Sequence, residues 1–246
     1  MKIAMWSGPR NLSTAMMYAF GARGDCAVCD EPFYAAYLAA TGLDHPMRAA
    51  ILAAQHNDPA AVAAACAGPV PQGRSHQYMK HMTHHMLPGF PLEWARGCAN
   101  VFLIRHPARV VASYAPKREG PTLEDLGFVQ QLRLFEQFAG WGAAPLVIDS
   151  TDIRAAPEPM LRGLCESLGL DFVPSMLRWP AGGNAADGVW AAHWYGAVHR
   201  SSGFAGAEGM LPELTGSYAE LAEQAMPSYE ALARYRLRPD TAQAND

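Results

Sequence analysis

The chain opens on a largely apolar run, KIAMW (2–6), and similar runs return at intervals: CAVC (26–29), NVFLIR (100–105) and APLVID (144–149), with the more polar SHQYMKHM (75–82) a weaker strand candidate. Short, nearly continuous apolar runs of this length mark strands buried on both faces. Between them the spacing changes to that of helices. Leu12, Met16 and Phe20 fall four apart and predict a helix over 12–21. The Ala-rich stretch 33–66 predicts helix, broken near HNDP. Pro107 opens HPARVVASY as a first-turn residue. TLED (122–125) is a capping box, and the helix it starts is expected to run to about Phe138. In PMLRGLCESLG (159–169), Leu161, Leu164, Cys165 and Leu168 share one face and Gly169 is the stop. Residues 178–215, rich in Gly, Ala, Trp and His, read as irregular, and a helix over roughly 217–235 precedes a polar tail.

Strands alternating with helices predict an α/β fold, with one central, mainly parallel sheet of about five strands and helices on both faces. No repeat and no Pro/Gly/Ser-rich linker divides the chain, so 1–246 is expected to be a single domain. The net charge of −4 argues against a general nucleic-acid binder but allows a local basic pocket for a small anion. Five Cys, an odd number, suggest reduced thiols and a cytoplasmic setting. The N-terminus runs straight into a strand pattern, with no basic region, apolar stretch and cleavage site. No apolar run approaches the ~20 residues of a membrane span, so no membrane partner is expected. Nothing in the sequence speaks to oligomeric state.

Ligands of such sheets bind outside the carboxyl ends of the strands. Three candidate sites lie there: SGPRN (7–11) after the first strand, DEPF (30–33) after the second, and RHP (105–107) after NVFLI. The first leads into a helix N-terminus, where unpaired backbone N–H groups and partial positive charge favour an anion. Gly8 lets the backbone curl, and Arg10, Ser13 and Thr14 add donors. The usual triphosphate loop has Gly-Lys before its Ser/Thr; here Ser13 and Thr14 take the Gly and Lys places. Arg105 at a strand end can clamp a second anion through its planar fork. CAVC has Cys-x-x-Cys spacing, but in a strand residues three apart face opposite sides and no second pair exists, so no redox or zinc role is expected. His81, His84 and His85 lack a local carboxylate or Cys, so no metal is expected. Trp190, His193, Trp194 and Tyr195 form an aromatic cluster suited to packing a loop onto the sheet or shaping a pocket.

Two anion sites on one parallel sheet resemble the sulfotransferases that use 3′-phosphoadenosine-5′-phosphosulfate (PAPS). SGPRNLSTAMM (7–17) looks like their 5′-phosphosulfate loop, commonly Pro-Arg/Lys-Ser-Gly-Thr-Thr. RHPARVVASY (105–114) looks like their 3′-phosphate motif, with Ser113 eight residues after Arg105. IDSTDIRAAPEPMLRGLCESLGLDF (148–172) is similar to their shared strand–helix segment, and the likeness spans roughly 3–172. The departure is Asn11 and Leu12 in place of Ser-Gly.

The resemblance implies a P-loop-type three-layer sandwich. It implies that Gly8, Pro9, Arg10, Asn11, Ser13 and Thr14 bind the 5′-phosphosulfate and that Arg105 and Ser113 bind the 3′-phosphate. VHRSSGFAG (198–206), with Arg200 and Ser201, would close over the co-substrate. Lys80 would stabilise the bridging oxygen or line the pocket. The family's base is either a Glu after the second strand, for which Glu31 stands twenty-one residues beyond Arg10, or a His after the third, for which His81, His84 and His85 stand in YMKHMTHH (78–85). Glu31 is the expected base. PAPS would be the co-substrate, with no metal, and the acceptor a small-molecule hydroxyl or amine. The competing readings are a small-molecule kinase and a non-catalytic nucleotide binder. The loop lacks a kinase's Lys, and Asp149 is the only tidy strand-end acid. A binder would not need Glu31.

Overall fold

The computed structural model describes residues 1–117 and 120–238. Five strands, β1 (Lys2–Ser7), β2 (Cys26–Asp30), β3 (His76–Met82), β4 (Ala99–Ile104) and β5 (Leu146–Asp149), form one sheet in the order β2-β3-β1-β4-β5. Every neighbouring pair is parallel. The α/β architecture read from the pattern is therefore the one observed. Helices α1 (Ser13–Gly21), α2 (Tyr34–Thr41), α3 (Arg48–Ala54) and α4 (Pro59–Ala67) precede β3. Helices α5 (Pro107–Tyr114), α6 (Leu123–Leu126) and α7 (Phe128–Ala139) join β4 to β5. After β5 come α8 (Ser150–Ala155), α9 (Pro157–Ser167), α10 (Ala191–Trp194), α11 (Gly196–His199) and α12 (Ser217–Ala233).

Strand alternation sorts β1 between two cores. Ile3 and Met5 face Met16, Met17 and Phe20 of α1 and Leu161, Leu164 and Cys165 of α9. Ala4 and Trp6 face Val62 and Cys66 of α4, Leu134, Phe135 and Phe138 of α7, and Leu232 of α12. The two cysteines of CAVC divide the same way, Cys26 into the first core and Cys29 against the second. Tyr34, Tyr37, Leu38 and Ile51 pack with Trp190, Ala191 and Tyr195 in a third cluster, which seats the late segment on α2 and α3. No helix among the described residues is long and apolar enough to cross a membrane.

Several boundaries differ from the sequence pattern. Residues 33–66 form three helices: Gly42 ends α2 in a left-handed turn, and Asp58 caps α4 by accepting from the Ala60 and Ala61 amides. The Thr122–Asp125 capping box is present, but its helix stops at Leu126. Gly127 turns left-handed there, and a Cβ would meet Thr83 Oγ1 at 2.8 Å, so the chain restarts as α7. The 159–169 helix begins earlier, at Pro157, and α8 precedes it, capped by Asp149 accepting from the Thr151 amide at 2.8 Å. The irregular 178–215 stretch holds the single turns α10 and α11.

His81 lies on the face of β3 opposite Lys80, in the second-core layer. Its ring stacks on Trp6 at 4.5 Å and tilts against Trp94 at 4.9 Å. Neither ring nitrogen has a partner among the described residues, and burial pushes the imidazole down to about 3. A group with a depressed folded pKa stabilises the fold above its unfolded pKa of about 6.5, and that stability is lost as pH falls towards the folded value. Acidification from pH 7.5 to 5 is expected to cost about 2 kcal/mol through this residue alone. Urea titrations at the two pH values measure it, and in His81→Phe the loss should shrink by that amount.

Candidate active site

The turn after β1 is built by steric restriction. A Cβ on Gly8 would meet the Leu126 carbonyl oxygen at 2.5 Å, so only glycine fits. Arg10 (φ 61°) and Leu12 (φ 70°) both adopt left-handed backbone, an unfavourable conformation for non-glycine residues that clusters at functional sites. Asn11 is buried between them and donates through Nδ2 to the Leu103 carbonyl at 3.2 Å, which ties the turn to β4. That tie and the packing of Leu12 on the first core explain what Asn11 and Leu12 do in this turn. Helix α1 then starts at Ser13 without a side-chain cap. The Ser13 and Thr14 hydroxyls line the cavity and make no hydrogen bond among the described residues, so neither serves as a helix cap.

The two sequence motifs for anions meet. Arg10 Nε donates to Ser113 Oγ at 2.9 Å, and Arg105 Nη1 donates to the Arg10 carbonyl at 2.7 Å. Burial, then the charge of Arg105, hold the Arg10 guanidinium below its ordinary pKa. Arg10 pairs with no carboxylate among the described residues, and Arg105 Nε is buried without a partner. Two adjacent cations of this kind suit a bound anion.

Opposite them is a buried acid cluster. Asp30 ends β2 and stands across from Lys80 of β3 in register. Lys80 Nζ donates to Asp30 Oδ1 at 2.9 Å, to Glu31 Oε1 at 2.7 Å and to the Tyr195 hydroxyl. Each of the three ammonium protons thus has an acceptor here, and Lys80 lines the cavity. The Tyr195 hydroxyl accepts from Trp190 Nε1 at 2.9 Å and donates to Asp30 Oδ2 at 2.8 Å, and the Gly188 amide donates to that oxygen at 3.0 Å. Both Asp30 oxygens are consequently occupied. Glu31, bent into left-handed backbone at φ 38°, has Oε1 on Lys80 while Oε2 makes no hydrogen bond among the described residues. Burial, reinforced by the charge of Asp30, raises the Glu31 pKa against the pull of Lys80. The two carboxylates in turn raise that of Lys80 despite its burial.

A cavity of about 280 Å³ joins these parts: Arg10 to Thr14, Glu31, Lys80, Arg105 and Ser113 all line it. Pro9 lines it too, whereas Gly8 supports the turn from behind. His84 and His85 reach the cavity, with His85 Nδ1 at 4.0 Å from Glu31 Oε2 and its ring stacked on Tyr34 and Tyr37. Burial holds His85 well below its ordinary pKa, so it is neutral. His81 faces away, so the three histidines do not share a face.

The late segment matches the sequence reading least. Ser201 lines the cavity, but its hydroxyl donates to the Val198 carbonyl at 2.8 Å and accepts from Trp179. Arg200 is exposed and outside the cavity. The residues that gather around Arg105 are Arg109, Arg154 and Glu208. RHPAR did place Arg109 one helical turn after Arg105; Arg154 and Glu208 carry no local signal. Asp149, the strand-end acid, is spent on the α8 cap and on the Tyr229 hydroxyl at 2.8 Å.

Residues 1–236 match the sulfotransferase domain family. The chain belongs to the sulfotransferase domain family. This sulfotransferase domain is 36% identical over 231 residues to branched-chain-amino-acid aminotransferase-like protein 1 of Arabidopsis thaliana, and 34% identical over 230 residues to protein 2 of that name. Each match covers 94% of this chain but 41% of the relative, so the domain spans well under half of those proteins. Among solved structures, the sulfotransferase domain from the curacin biosynthetic pathway shares the fold at TM-score 0.53 and 15% identity, with 96% of this chain and 98% of that one covered. As a sulfotransferase domain the chain is a transferase, and its cavity offers anion donors on one side and a single free carboxylate oxygen on the other.

Proposed function

We propose that this domain moves a sulfuryl group from PAPS to a hydroxyl or amine of a small-molecule acceptor, with Glu31 as general base. The observation that carries the reading is the single cavity shared by the Arg10–Thr14 turn, Arg105 with Ser113, and Glu31. The Ser13 and Thr14 hydroxyls without a partner and the Arg10 guanidinium without a carboxylate, both among the described residues, fit a bound phosphosulfate, as does the α1 N-terminus with no side-chain cap. PAPS, when bound, supplies the SO3 unit and the phosphate that leaves.

In this reading the α1 N–H groups, Ser13, Thr14 and Arg10 hold the 5′ end and offset negative charge gathering on the leaving phosphate oxygen. Arg105 and Ser113 take the 3′-phosphate. Glu31 Oε2 receives the acceptor proton as the acceptor heteroatom bonds to sulfur and the bond from sulfur to the bridging oxygen breaks. Lys80 and Tyr195 hold Glu31 in place. Neutral His85, stacked between tyrosines, walls the acceptor side.

Calorimetry with 3′,5′-adenosine bisphosphate tests the reading. Tight binding without metal is expected, and Arg105→Ala should weaken it by tenfold or more, on the scale of about 1.5–3 kcal/mol for a hydrogen bond to a charged group. Magnesium-dependent binding of ATP with no binding of the bisphosphate would sink it.

A further inference from the structure

Three guanidinium groups from different elements converge on one carboxylate. Arg105 follows β4, Arg109 lies in α5 and Arg154 in α8. Arg105 Nη2 and Arg154 Nη1 both pair with Glu208 Oε1, the latter at 2.7 Å. Arg109 Nε reaches Oε2 at 3.1 Å, and Thr151 Oγ1 donates to the same oxygen at 3.2 Å. The Glu208 side chain is 2% exposed, although the residues around it, Ala205 to Ala207 and Gly209 to Leu211, are exposed and belong to no helix or strand. The same arginines hold the flanking backbone: Arg154 Nε donates to the Gly206 carbonyl at 2.9 Å and Arg109 Nη2 to that of Gly209. The stretch is thus pinned to the body largely through this cage.

Among the described residues the charges do not balance: three cations surround one carboxylate, and Arg105 Nε is buried without a hydrogen-bond partner. Burial would raise the Glu208 pKa, but the Arg105 hydrogen bond and the three positive charges outweigh it, so the carboxylate is ionised at neutral pH. A phosphate monoester carries about two negative charges and three terminal oxygens, against one charge and two oxygens on Glu208. It matches the cage better in both respects. Arg105 also links the cage to the turn through the Arg10 carbonyl, so the cage borders the main cavity.

We propose that Arg105, Arg109, Arg154 and Thr151 form a phosphate-monoester subsite that Glu208 fills as a tethered stand-in, and that the monoester displaces Glu208 and frees the 205–211 stretch. Identifying that monoester as the 3′-phosphate of the nucleotide rests on the function proposed above. Arg109 and Arg154 then belong to the donor site, and Glu208 competes with the donor from within the chain.

The test compares 3′,5′-adenosine bisphosphate, adenosine 5′-monophosphate and inorganic phosphate on the wild type, Glu208→Gln, Arg154→Ala and the double variant. Glu208→Gln is expected to raise bisphosphate affinity about tenfold with the 5′-monophosphate unchanged. Arg154→Ala should lower bisphosphate affinity by a similar factor, again sparing the monophosphate, whose binding reports that each variant is folded. Amide exchange in 205–211 of the wild type should speed up on adding the bisphosphate, which a purely structural ion cluster would not produce. If the bisphosphate outbinds the monophosphate and neither variant moves the difference, the subsite is overturned while the proposed function stands. If the bisphosphate has no advantage anywhere, yet Glu208→Gln gains inorganic phosphate binding that the double variant loses, the subsite stands and the PAPS reading falls. No phosphate binding by Glu208→Gln together with no bisphosphate advantage overturns both.

Discussion

Glu31→Gln is expected to lower the sulfuryl-transfer rate by about 10²–10⁴-fold, the usual contribution of a positioned general base. Binding of the bisphosphate should be unchanged, because Glu31 stands on the opposite wall from the Arg10 turn. The amide keeps the size of the carboxyl and can still accept from Lys80, so the loss reports on the proton and not on the fold. The pH profile gives a second readout. A base acts when deprotonated, and burial with the Asp30 charge raises the Glu31 pKa. The rate should therefore fall as pH drops through a value above the usual carboxylate range. A variant that retained both the rate and this acidic limb would transfer the base role to His85, whose Nδ1 lies 4.0 Å from Glu31 Oε2.

Lys80→Met should produce the largest loss of stability. Lys80 is 1% exposed and faces two carboxylates, Asp30 and Glu31, which are also buried. Removing one side of a buried ion cluster leaves uncompensated charge and costs about 3–5 kcal/mol. For a domain of this size that lowers the melting temperature by roughly 10 °C. Without the ammonium the buried Glu31 carboxyl, already raised by burial, holds its proton to higher pH than when unfolded. Such a group stabilises below the unfolded pKa and loses that contribution as pH rises through the folded value. The gap between variant and wild type should accordingly narrow as pH falls towards 5. Adding Glu31→Gln to Lys80→Met should recover part of the loss, since one of the stranded charges is gone. Additive effects in that cycle would mean that Lys80 and Glu31 do not interact.

The sheet was legible because its strands are short apolar runs, and both anion motifs lie within a few residues of strand ends, where backbone geometry forces them to one edge. β3 was the weakest strand in the pattern for a physical reason: His81 and Lys80 are polar residues buried in it, one stacked on Trp6 and one in the acid cluster. Glu31 was singled out from its neighbour Asp30 by spacing alone. The physical difference comes from Tyr195 and Gly188, brought from more than 150 residues away, which with Lys80 occupy both Asp30 oxygens and leave Glu31 Oε2 without a hydrogen bond among the described residues. The arginine cage was not legible beyond Arg105: Arg109 carried only the signal of standing one helical turn later, and Arg154 and Glu208 join it through tertiary packing alone.

Tyr195 and Glu208 lie on one continuous ribbon, thirteen residues apart. One end rests on the acid cluster where the acceptor would react; the other plugs the arginines where the donor would bind. If the proposed displacement occurs, a ligand that shifts the ribbon at one end would alter affinity at the other, and reciprocity would make the two effects equal. Order of substrate binding would then be a property of the ribbon's fastening, set by a tyrosine hydroxyl and a carboxylate that make no bond to each other.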